Sequence, residues 1–159
     1  MKPTLFLSIT LLLFTGGCIW GGGESVPEPD DCTSPRALDG VESVEIGHME
    51  GDDFVPWPNG QAVELTYGPQ GGAMLDVVLS VRGRDLPSCM AHSMTLASPE
   101  IDPLAHTGHS VRTYQGAGET RITSPIWMIF AGPDPLPGDV LDLTLELGPV
   151  QIQRTLRVR

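Results

Sequence analysis

Cys89-Met90-Ala91-His92-Ser93-Met94 packs a thiol, two thioethers and an imidazole into one short run, with His48-Met49 about forty residues upstream. These donors suit copper, because Cu(I) prefers polarizable sulfur and both common oxidation states accept imidazole. Spaced at i, i+2 and i+4, Met90, His92 and Met94 fall on one face of a strand. The same spacing also describes an ordinary core, with methionine as adaptable filler and His92 hydrogen-bonded or near an edge. That plainer role is the expected one. A second pair, His106 and His109, follows Glu100 and Asp102 in a Pro/Gly-rich stretch. Closely spaced histidines plus a carboxylate can hold zinc, but two histidines without a firm third ligand fall short of a site. Asp52-Asp53, Asp134 and Asp139 lack the regular alternation of oxygen ligands that defines a calcium loop. The chain is therefore expected to carry no cofactor. Copper or zinc binding through Met90, His92, Met94, His106 and His109 is the alternative.

The order His48…Cys89-x-x-His92-x-Met94 resembles the ligand order of small blue-copper proteins, which are also β-sandwiches. It departs in having one residue too few between His92 and Met94. In that family the Cys–Met loop also lies between the last two strands, whereas seventy residues follow Cys89 here. A disulfide through Cys89 would remove the thiolate as well. Blue copper is not expected.

Enzyme signatures are sparse. Gly108-His109-Ser110-Val111-Arg112 lacks the second glycine of a nucleophile elbow. Neighbours on a strand point apart, so His109 is poorly placed as a base for Ser110. Lys2 is the sole lysine, which excludes a phosphate loop ending in lysine. A hydrolase is the last of the readings, and a non-catalytic chain is expected. Of the three tryptophans, Trp20 precedes the folded region and Trp127 sits in an apolar run expected to be core. Trp57, in Val55-Pro56-Trp57-Pro58-Asn59, is a candidate partner contact or a cap over the end of the fold.

The elements that must position these residues are strands. Val44, Ile46 and His48 alternate with polar neighbours, as do Val63, Leu65 and Tyr67 after an Asn59-Gly60 turn signal. Ala73, Leu75, Val77, Leu79 and Val81 form the longest regular run. Leu141 to Leu147 and Val150 to Val158 alternate on either side of Gly148-Pro149, which predicts a hairpin. Arg154 interrupts the apolar face of the last strand and is expected near the sheet's end or reaching across it. Ser124 to Ala131 is apolar on both faces, as in a covered central strand or a short buried helix. Seven or eight short strands with Pro/Gly punctuation predict an all-β fold, an antiparallel two-sheet sandwich of immunoglobulin-like type.

The run Glu45-Ile46-Gly47, Phe54-Val55-Pro56, Asn59-Gly60 and Tyr67-Gly68-Pro69-Gln70-Gly71-Gly72 resembles a group of acidic lipoproteins of the myxobacterial kind. Over roughly residues 41–85 the resemblance implies a sandwich fold and an envelope address, and it brings no activity with it. Gln70, at the tip of the Gly-Pro-Gln-Gly-Gly turn, is a second candidate partner contact beside Trp57.

The N-terminus points to the same address. Lys2 precedes an apolar run from Leu5 to Phe14, and Thr15-Gly16-Gly17-Cys18 follows. Small residues before a cysteine are what a lipid-modified cleavage site requires, although Thr15 stands where leucine is usual. The expected organisation is a signal peptide over 1–17, lipidated Cys18 with an acidic tether over 18–31, and a folded domain over 32–159. A Gly/Pro/acid-rich tether of this kind reaches roughly 20 Å. Cys32 and Cys89 then remain as an even pair in a compartment that permits disulfides. After residue 17, eight arginines face twenty acids, a side-chain balance of −12. Such a charge repels nucleic acid and anionic headgroups, so the expected partners are the membrane, through acyl chains, and an envelope protein. The expected location is a bacterial envelope, at the outer membrane.

Overall fold

The computed structural model describes residues 32, 38–101 and 103–159. These belong to one unit, Asp31–Arg159. The signal, Cys18 and tether expectations lie outside the described residues, as does Asp102. Among the described residues no helix is long and apolar enough to cross a membrane.

Among the described residues eleven strands follow in order: β1 (Val41–Glu50), β2 (Asp53–Pro56), β3 (Gln61–Val63), β4 (Thr66–Tyr67), β5 (Ala73–Gly83), β6 (Cys89–Ala97), β7 (Ala105–Gln115), β8 (Thr120–Thr123), β9 (Ile126–Ile129), β10 (Val140–Leu147) and β11 (Val150–Val158). The expected all-β sandwich is the fold. It has more strands than the seven or eight expected, because short pieces such as β2, β4, β8 and β9 are too brief to leave a periodic signature.

Neighbouring strands run β2-β1-β5-β8-β7-β6-β10-β11-β3, with β4 and β9 also paired to β5. All ladders are antiparallel except β11 with β3, which is parallel. Asn59-Gly60 explains the exception. Asn59 Oδ1 accepts the Thr155 N–H at 2.8 Å, and the Gly60 N–H donates to the Thr155 carbonyl at 2.6 Å. Gly60 adopts φ +80°, and the chain leaving this turn is laid beside β11 in the same direction.

Burial follows the period-two pattern. Ala73, Leu75, Val77, Leu79 and Val81 are at most 1% exposed, and Leu141, Leu143, Leu145 and Leu147 are fully buried. These two rows share one core with Ile46, Met94, Leu96, Ile126, Met128 and Leu156, so the two sheets face each other across it. The predicted β10–β11 hairpin forms, closed at Gly148 with φ +56°. Arg154 stands opposite Leu143, inside the hairpin rather than at its end. Its Nη1 donates to the Gln153 carbonyl at 2.9 Å, while its Nε is buried without a partner among the described residues. Cys32 and Cys89 form the expected disulfide, with a Cα–Cα distance of 5.4 Å across 57 residues of sequence separation. Closing a loop of this size stabilises the fold by about 4 kcal/mol.

One strand passes between the sheets. β7 pairs with β6 from Ala105 to Arg112, then with β8 from Thr113 to Gln115. Thr113 sits buried at the handover, where its Oγ1 donates to the Pro87 carbonyl at 2.9 Å and accepts from Arg121 Nε at 2.7 Å. The buried hydroxyl thus ties a carbonyl of the loop before β6 to a side chain of β8.

Candidate functional site

Because β7 changes partners, its first half parts from the strand that continues β8. Among the described residues β9 pairs only with β5, and the Ala105–Arg112 half of β7 only with β6. The two walls are joined at each end by single backbone bonds. The Ser124 N–H donates to the Arg112 carbonyl at 2.8 Å, and the Ala131 N–H donates to the Leu104 carbonyl at 3.0 Å. Between these pins lies a cleft of about 460 Å³, lined by His106, Thr107 and His109 on one side and Pro125, Trp127 and Ile129 on the other.

The apolar wall corrects an expectation. Ser124 to Ala131 is neither a helix nor a strand covered on both faces. In β9, Ile126 and Met128 are buried, while Trp127 and Ile129 are each 60% exposed. Trp127 is therefore not core. Alternation is present, but both of its phases are apolar, so residue type alone does not show which face meets water.

The opposite correction applies to Trp57, which is only 6% exposed and offers no open contact surface. Its Nε1 donates to His48 Nδ1 at 2.8 Å, and its backbone N–H donates to the Ile46 carbonyl at 2.8 Å. Trp57 is part of the core. His48 is thereby committed to it, far in role from a copper ligand beside Cys89. Gln70 is exposed at its turn, where the Gly71 N–H donates to the Gly68 carbonyl at 2.9 Å and Gly71 takes φ +82°.

Met90, His92 and Met94 share the inner face of β6, as their spacing requires, and are 0%, 6% and 0% exposed. The register sets His92 opposite His109, Met94 opposite Thr107 and Met90 opposite Val111. The His92 and His109 rings meet edge to face, with centroids 4.8 Å apart and planes at 70°. His106, three residues before His109, projects from the other face of β7, and its Nδ1 shares a hydrogen with Thr95 Oγ1 at 3.1 Å. The two expected histidine sets are thus regrouped. His92 joins His109 across the ladder, while His106 lines the cleft without joining that pair. Among the described residues no three His, Cys, Asp or Glu side chains converge on a metal position. A zinc site from His106, His109 and Glu100 is not formed.

Burial lowers the His92 pKa to about 4, and the neighbouring His109 pushes it the same way. The His109 backbone opposes the shift, yet neither ring nitrogen of His92 meets hydrogen-bond geometry with any described group. On the same face as Trp127, Asp76 stands opposite it in the β5–β9 ladder. Its pKa is raised, chiefly by desolvation and against a hydrogen bond from Thr66.

Of the expected residues the cleft brings together His106 and His109, and it adds Trp127 and Ile129, while Met90, His92 and Met94 lie on the buried face of β6 behind His109. The signal that could have found Trp127 and Ile129 is the position of Ser124-Pro125, which breaks the strand and limits β9 to one partner. Compared with known families, curated proteins and solved structures, the chain matches none, so the site is read from its own residues alone.

Proposed function

We propose that this chain is a lipid-anchored, non-catalytic binding module of a bacterial envelope, and that the β7–β9 cleft is where it meets an envelope protein. Acyl chains on Cys18 hold it at the outer membrane, residues 19–31 set its height, and the sandwich presents the cleft. The observation that carries the contact site is the pair Trp127 and Ile129, each 60% exposed on a wall facing two imidazoles. Exposed large apolar side chains cost solubility unless something covers them, and a tryptophan beside polar groups is typical of a contact centre. The cleft is pinned at both ends, so it suits an inserted side chain or loop tip of the partner rather than a whole added strand.

A photo-crosslinking residue at position 127 tests this reading in cells, with Tyr114, exposed elsewhere on the sandwich, as control position. A discrete adduct from position 127 and none from position 114 is expected. Equal labelling at both positions, or none at either, would remove the cleft from the proposal. Metabolic labelling with an alkynyl fatty acid tests the anchor: label should be present in the native chain and absent from Cys18→Ser.

A further inference from the structure

We infer that the inner face of the β6–β7 ladder is a site for a soft monovalent cation, Cu(I), held by His92 and His109 with thioether support from Met90 and Met94. The arrangement is a cross-strand histidine pair flanked by two thioethers. His92 and His109 are direct register partners, and their ring centroids are 4.8 Å apart. Two imidazoles bound to one metal at ordinary N–metal lengths of about 2.0 Å, and inclined at about 100°, have centroids near this spacing. Met90 and Met94 flank His92 on the same face, each about 6–7 Å along the strand. That lies within reach of a long, flexible thioether side chain.

Three further observations narrow the ion. The two buried nitrogens of His92 have no hydrogen-bond partner among the described residues, and a metal bound at one of them would offset part of that cost. Thr107 Oγ1 lies 2.8 Å from His109 Nδ1. A hydrogen bond there from Nδ1–H leaves the Nε2 lone pair for metal, the usual support for a ligating histidine. The donors are all neutral, since Cys89 is locked in its disulfide and no carboxylate joins the cluster. A dication placed there would be uncompensated in a buried setting, whereas a soft monovalent ion suits sulfur and imidazole. His109 is exposed to the cleft and gives the ion its way in.

The test is competition titration of the purified Cys18→Ser chain with Cu(I) against bicinchoninate, under ascorbate. Methyl-labelled methionine NMR with Ag(I), a redox-inert stand-in, runs alongside. One equivalent should bind, and the Met90 and Met94 methyl signals should shift. His109→Ala, at an exposed position, should weaken binding at least tenfold, and Met90→Leu/Met94→Leu should weaken it while keeping core volume. His106→Ala should leave it unchanged. Binding unaffected by His109→Ala, or a preference for Zn(II) over Cu(I), would overturn the assignment. So would methionine signals that stay in place.

Discussion

His92 is an imidazole held where charge is unwelcome, and the consequence is a pH dependence with a definite sign. Its folded pKa is about 4, against an ordinary value of 6.5. Between those values the unfolded chain binds a proton that the folded chain refuses, so stability falls as the solution is acidified through that window. The metal-free protein should lose up to about 3 kcal/mol between pH 7 and pH 4 from this residue. Denaturant titrations at several pH values would measure it. His92→Leu, which removes both unpaired nitrogens, should flatten that part of the curve and match or exceed the parent in stability at pH 7. A slope unchanged in His92→Leu would place the acid sensitivity elsewhere. Position 92 was legible as buried from its spacing between two methionines. Its partner was not, because a register pairing between residues seventeen apart depends on how long the intervening turn is.

At the level of elements, β10 is the least ambiguous strand in the chain. Four leucines alternate with Asp142, Thr144 and Glu146, and all four are fully buried. Leu145→Ala should destabilise the fold by about 2–5 kcal/mol, seen as a lowered urea midpoint with an unchanged slope. The same clarity explains what sequence reading reached: β1, β5, β10 and β11 each have one apolar and one polar phase. β9 has none, so Trp127 could not be told from a core residue. Trp57 reads as a contact or a cap: two flanking prolines place it in a loop, and the indole turns inward to His48, as a cap does and a contact does not. The handover of β7 from β6 to β8 has no local mark at all. It arises from which strands lie beside it, and the cleft exists only because of that exchange.

For the whole molecule, the acidic surface and the single described unit fit a small domain whose stability leans on a covalent link. That link also decides how the fold carries load. Cys32 joins the chain to Cys89 at the start of β6, so tension applied ahead of Cys32 passes through sulfur and enters the domain at β6. The residues between the two cysteines, which include β1 to β5, lie off the line of force. Stretched from its two ends in a single-molecule experiment, the oxidised domain should pay out only the chain beyond Cys89. Reduction should lengthen the unfolding step by about 200 Å, the contour of the 57-residue separation. Under the proposed anchor at Cys18, the five strands between the two cysteines would be mechanically silent, shielded while the remainder yields.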